Sequence, residues 1–90
     1  SDTLALGACR ALAESGIKIP EKCSVAGFDG LDAGKYYIPS LTTLEQPVKD
    51  IGRATVSQLF RGIENEGTCG QVVFEGKLVV RESTSQYQEV

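Results

Sequence analysis

Apolar positions change rhythm along the chain, and each change marks a predicted element boundary. Residues 4–15 are rich in Ala and Leu, strong helix formers, with Leu4, Ala5, Ala8, Cys9, Ala11 and Leu12 spread over a broad arc. An arc that wide predicts a helix buried on more than one side. Ser1, Asp2 and Thr3 supply N-cap side chains ahead of it. Gly16 stops it in a left-handed position with Ile17 as apolar follower, and Pro20 excludes any continuation. Residues 23–28 then run almost unbroken apolar up to Asp29, the pattern of a strand covered on both faces. Helix, short loop and buried strand in series predict α/β layering with a parallel sheet.

The stretch 30–40, with two glycines and a proline, is irregular apart from one helical turn around residues 31–35. Residues 41–44 are a brief β-prone run carrying two threonines. Pro47 suits the first position of a helix, where its missing N–H costs nothing. Val48, Ile51, Gly52, Thr55, Leu59 and Ile63 recur at helical spacing and predict an amphipathic helix to about Asn65. Residues 71–75 and 77–81 are β-prone and separated by Gly76, which predicts two short strands. Residues 83–90 are polar and are expected to fray.

Composition narrows the class. The 90 residues are 41% hydrophobic and 23% charged, ordinary for a soluble globular chain. A chain this short buries only about 60–65% of its unfolded surface, so its core is marginal. A net charge of -3, with scattered basic residues, argues against this stretch gripping a phosphate backbone. No apolar run approaches the roughly 18 residues needed to span a bilayer, and no signal-peptide pattern precedes the first helix. Cys9, Cys23 and Cys69 lie far apart without metal-ligand spacing, which fits reduced thiols in a cytoplasmic protein. The sequence has no His, the commonest general base. It also has no Met, position 1 included, and opens on a helix start, which predicts a piece of a longer protein.

Asp29 is the leading candidate for chemistry. Ligands of open α/β proteins bind beyond the carboxyl ends of parallel strands, and a carboxylate there accepts hydrogen bonds from ligand hydroxyls. The competing reading is a turn Asp bonding its own backbone. Gln46 either reaches a ligand from a helix start or caps that helix. An N-cap role already explains Asp2. Tyr36, Tyr37 and Ile38 form an amphipathic loop cluster of the kind enriched at interfaces, or a lid on their own domain. The thiols read as packing residues. Gly27 and Gly30 lack the continuation of a phosphate loop. No nucleophile–base pair, acid/base carboxylate pair or metal cluster can be assembled, so no catalytic residue, cofactor or metal is expected.

Four phrases together carry a resemblance: Ser-Asp-Thr-Leu-Ala-Leu-Gly-Ala (1–8), Ile-Pro-Glu-Lys-Cys-Ser-Val-Ala-Gly-Phe-Asp (19–29), Pro-Ser-Leu-Thr-Thr-Leu-Glu-Gln-Pro (39–47) and Leu-Val-Val-Arg-Glu-Ser-Thr (78–84). In order and spacing they resemble the C-terminal portion of lactose/galactose-repressor family transcription regulators. The resemblance implies a two-lobed, periplasmic-binding-protein-like (type I) α/β fold with a parallel sheet, present here as a C-terminal fragment. In that family a helix-turn-helix headpiece binds operator DNA, and a small molecule, often a sugar or nucleobase, binds between the lobes.

By that resemblance residues 1–46 belong to the C-terminal lobe. Residues 47–75 cross into the N-terminal lobe, 76–84 return, and 85–90 form a polar tail. Asp29 matches the family's acidic ligand contact, Ser1 falls where many members carry a contacting Asn, and Gln46 and Val48 match positions near the ligand. Leu6, Ala33, Tyr36, Tyr37 and Ile38 match the dimer-forming surface. Gly30 departs from the family, replacing a second acidic or amide residue common after Asp29. The expected protein is a cytoplasmic homodimer sensing a carbohydrate and reaching operator DNA through a headpiece outside this chain. The alternative is a solute-binding receptor of a sugar transporter, which shares the fold. An enzyme is not expected.

Overall fold

The computed structural model describes residues 1–64 and 71–87. They form α1 (Asp2–Glu14), β1 (Ala26–Asp29), α2 (Asp32–Tyr36), β2 (Thr42–Glu45), α3 (Val48–Glu64) and β3 (Lys77–Val79). The chain divides into two compact units, one of residues 1–46 and 77–90, the other of residues 47–76.

In the first unit, Ser1 is the N-cap of α1, its hydroxyl accepting the Leu4 amide at 3.3 Å. The helix ends as the sequence predicts. Gly16 has φ +76°, the Ile17 amide reaches back to the Leu12 carbonyl at 2.9 Å and the Gly16 amide to Ala13 at 3.1 Å. These are the paired bonds of a Schellman turn. α1 buries only Asp2, Ala5 and Cys9, a single stripe, and Leu4 is 76% exposed. The two-sided burial expected from its apolar arc is therefore not met within this chain. β1 likewise exposes Phe28 while half-burying Gly27 and Asp29, so it is covered on one face rather than both.

The sheet order is β1-β2-β3, with β1 and β2 parallel and β3 antiparallel to β2. The parallel pair is the one anticipated from the helix–loop–strand series. β3 covers only Lys77–Val79, shorter than the predicted run. The Leu-Thr-Thr-Leu run of residues 41–44 does not by itself say which face is covered. Leu41, Thr42 and Thr43 are all buried, and Leu41 joins Ala5 and Cys9 in the apolar centre, with Leu6, Ile19, Val25 and Tyr37 packed around it.

Among the described residues of this unit, four buried ones are polar: Asp2, Thr42, Thr43 and Ser83. Among the described residues every buried side-chain nitrogen or oxygen has a hydrogen-bond partner. An apolar centre this small leaves directed polar contacts to fix the geometry. Ser83 belongs to the segment expected to fray. It is instead fully buried, because residues 81–85 run beside the approaches to β1 and β2 and hydrogen-bond both.

In the second unit, α3 begins after Pro47 as predicted and is described to Glu64; Asn65 and Cys69 lie outside the described residues. None of its residues is buried, and Val56, Leu59, Phe60 and Ile63 are all exposed. Residues 71–75 form no strand. A β-prone run becomes a strand only when a neighbour supplies a ladder, and the β3 ladder begins at Lys77.

Candidate functional site at the strand ends

The register pairs Phe28 with Leu44 and Asp29 with Glu45, so Asp29 closes the parallel pair at its carboxyl end. There the backbone reverses through two unusual conformations, φ +121° at Asp29 and φ +81° at Gly30. A non-glycine residue held at such an angle costs on the order of 1–3 kcal/mol and persists only where its surroundings fix it. Gly30 is required by space as well as by angle. A Cβ there would lie 2.7 Å from Glu45 Cγ and 3.0 Å from Glu45 Cα. The glycine thus has a local physical cause: the turn presses against the end of β2.

The surroundings that fix the turn are specific. The Leu31 amide donates to Asp2 Oδ2 at 2.6 Å. The Gly30 amide donates to Thr43 Oγ1 at 3.3 Å, and Thr43 Oγ1 donates to Asp2 Oδ1 at 2.6 Å. The Gln46 amide donates to the Asp29 carbonyl at 3.5 Å, a long contact. Gly27 lets this happen, since a Cβ on it would collide with Asp2 Oδ1 and with Leu41.

Asp2 therefore does not have the cap role assigned from sequence. Ser1 is the cap, and Asp2 is fully buried as a tie between α1, the β1–α2 turn and β2. A usable signal lies in the sequence: three cap-type residues, Ser1, Asp2 and Thr3, stand in succession, and only one can cap a helix. Thr43 was the other residue missed, because its partners are remote in sequence.

Asp29 and Gln46 come together at this end, both half-buried. The Asp29 carboxylate has no hydrogen bond or ion pair among the described residues, and the Gln46 side chain has none either. Neither local alternative, an Asp bonding its own turn or a Gln capping its helix, is realised. Ser1 sits beside Asp2 at the start of α1, exposed, with its hydroxyl used by Leu4. Val48 opens α3 in the second unit and is exposed. A carboxylate and a carboxamide left free at a strand end can accept and donate hydrogen bonds to a polyhydroxylated or amide-bearing ligand.

The residues matched to a dimer surface divide in two. Ala33 is exposed, Tyr36 is 81% exposed and Ile38 is 89% exposed. Leu6 and Tyr37 are half-buried and pack on the Ala5, Cys9 and Leu41 centre. Cys9 and Cys23 are free thiols; burial pushes the Cys9 thiol up, and neighbouring Cys23 pushes it in the same direction. A hollow lined by Ala13, Ile17, Ile19 and Tyr37 together with the charged Lys18 and Glu21 lies at the far end of α1. No helix among the described residues is long and apolar enough to cross a membrane.

Residues 1–84 match the family of periplasmic binding protein-like domains. The chain is 42% identical over 83 residues to the HTH-type transcriptional regulator MalR of Clostridium butyricum, covering 92% of this chain and 25% of that protein. It is 40% identical over 85 residues to the ribose operon repressor of Halalkalibacterium halodurans, covering 93% of this chain and 26% of that protein. The chain thus spans about a quarter of the length of these relatives.

Among solved structures it resembles a LacI family transcriptional regulator from Arthrobacter sp. FB24 in complex with lactose. The TM-score is 0.82 at 35% identity, over 94% of this chain and 33% of that one. It also resembles the lac repressor dimer bound to operator and the anti-inducer ONPF. There the TM-score is 0.85 at 34% identity, over 93% of this chain and 29% of that one. With the sheet, the strand-end turn and these likenesses in agreement, the chain belongs to the periplasmic binding protein-like domain family, and its relatives are regulators of the LacI family.

Proposed function

We propose that this chain supplies the effector-binding and dimerisation portion of a bacterial transcription regulator, a cytoplasmic protein that acts on operator DNA through a headpiece outside this chain. The reading is supported above all by one observation: a carboxylate, Asp29, stands uncommitted at the carboxyl end of a parallel strand pair beside an uncommitted Gln46. Binding at such strand ends is the rule for open α/β sheets. The lactose held by the Arthrobacter relative favours a carbohydrate as effector, since sugar hydroxyls are natural donors to a carboxylate.

In this reading Asp29 and Gln46 contact the effector directly, and Ser1 and Val48 line it as the family resemblance implies. Residues 1–46 form part of one lobe, 47–75 enter the other, 76–84 return and 85–90 trail. Leu6, Ala33, Tyr36, Tyr37 and Ile38 contribute to the homodimer surface. The regulator works by population shift: an effector that binds one lobe arrangement more tightly than another favours that arrangement and so changes headpiece spacing. In this reading the apolar residues that α3 exposes pack against other parts of the regulator.

Calorimetry on the full-length protein tests the assignment, with a carbohydrate panel beginning with lactose to find a ligand. Asp29→Ala is expected to weaken binding about 10- to 100-fold, the worth of a hydrogen bond to a charged group, and to leave the dimer intact. Unchanged affinity in that variant would refute the role of Asp29.

A further inference from the structure

We infer that Asp2 and Thr43 are positioning residues whose shared hydrogen bonds hold the reversal at Asp29, and with it the direction of the Asp29 carboxylate. The inference rests on the proposed ligand role of Asp29 for its functional meaning, but its physical content is independent of any ligand. The two amides that follow Asp29 end on one buried carboxylate. Leu31 reaches Asp2 Oδ2 directly, and Gly30 reaches Asp2 Oδ1 through the hydroxyl of Thr43. The hydroxyl accepts from Gly30 and spends its single proton on Asp2, so the relay runs in one direction. The Asp29 carbonyl meets the Gln46 amide only in the long 3.5 Å contact, so the Gly30 and Leu31 bonds carry the restraint. A residue at φ +121° relaxes toward commoner angles unless its neighbours are fixed, and these bonds fix them.

Two further features separate this arrangement from ordinary core packing. Asp2 is fully buried, yet both of its observed hydrogen bonds are spent on the turn and its relay rather than on its own helix. Gly27 leaves the space into which the carboxylate fits, so the β1 backbone is shaped around it. Asp2 acts on the turn through the Leu31 amide and, by way of Thr43, through the Gly30 amide.

Hydrogen–deuterium exchange by mass spectrometry on the effector-free full-length protein tests this. The variants are Asp2→Asn, Thr43→Val, Thr43→Ser and, as control, Asp29→Asn. Thr43→Val keeps the shape of the side chain and removes the relay; Thr43→Ser keeps the hydroxyl. Asp2→Asn and Thr43→Val are expected to speed exchange in the peptide covering residues 28–32 about tenfold, the scale of one lost hydrogen bond. Exchange along the middle of α1 should stay as in the parent, and Thr43→Ser and Asp29→Asn should leave the turn protected. Parent-like exchange at 28–32 in Asp2→Asn and Thr43→Val overturns the inference. So does a uniform rise across residues 1–46, which would mark both residues as general supports of the fold. Because no effector is present, either failure is distinct from unchanged ligand affinity in Asp29→Ala.

Discussion

Ser83 and Val25 hold each other twice. The Val25 amide donates to the Ser83 carbonyl at 2.9 Å, and the Ser83 hydroxyl donates to the Val25 carbonyl at 2.6 Å. The same hydroxyl accepts the Thr42 amide at 2.8 Å. One fully buried side chain thus joins the approach to β1 to the start of β2. Its neighbours add to the seam: the Arg81 amide reaches Thr42 Oγ1 at 2.8 Å, and Arg81 Nη1 reaches the Leu41 carbonyl at 3.0 Å.

Ser83→Ala leaves the Thr42 amide and the Val25 carbonyl each short of a partner in a buried place. Loss of stability of about 1–3 kcal/mol is expected, read as a lower urea midpoint for the full-length protein with an unchanged slope. A midpoint within error of the parent would show that solvent replaces the hydroxyl freely.

Glu82 gives the seam a dependence on pH. Its carboxylate accepts the Ser40 amide at 3.0 Å and the Ser40 hydroxyl at 2.9 Å, and these bonds hold its pKa below the ordinary 4.5. A carboxyl group depressed on folding stabilises the fold above its unfolded pKa, and the contribution disappears as pH falls through the folded value. Glu82→Gln is therefore expected to melt below the parent at pH 7, with the gap closing as the buffer is taken below about pH 4.5. A gap that persists at low pH would locate the effect in packing rather than in charge.

Gly30→Ala sets a side chain against the Cα of Glu45 and into a left-handed angle at once. A cost of about 1–3 kcal/mol is expected, with weakened effector binding, since the turn carrying Asp29 must shift. Melting temperature and calorimetry on the same preparation measure both, and a variant as stable as the parent contradicts the crowding described at this turn.

The loop pair Tyr36 and Ile38 should separate association from folding. Both are largely uncovered, so replacing each with Ser is expected to change intrinsic stability by no more than about 0.5 kcal/mol, while sedimentation shows a weaker dimer. Tyr37→Ala, by contrast, opens the packed centre and lowers stability. A dimer of unchanged strength after the double Tyr36 and Ile38 replacement would remove this loop from the interface.

Local signals carried far into the structure. The Schellman end of α1 at Gly16, the helical turn after Leu31 and the start of α3 at Pro47 all depend on neighbouring residues, and all were legible. Asp29 at the strand end was legible for the same reason, and the family phrases fixed its setting. What escaped reading depended on distant partners. Asp2 looks like a cap until Leu31 and Thr43, 29 and 41 residues away, arrive to claim its two oxygens. Ser83 looks like tail until it meets Val25 and Thr42. Residues 71–75 look like a strand because propensity reports side-chain shape, while a strand needs a second chain segment at its edge. The broad apolar arc of α1 predicts cover on more than one side, whereas within this chain only one stripe of it is buried.

The bonds made by Ser83 span 58 residues to Val25 and 41 to Thr42. During synthesis, β1 and β2 leave the ribosome well before the serine that ties their approaches together. Contacts across such separations carry a large closure entropy and form late. The nascent segment must therefore wait, its strand pair unlatched, until Ser83 itself has been translated.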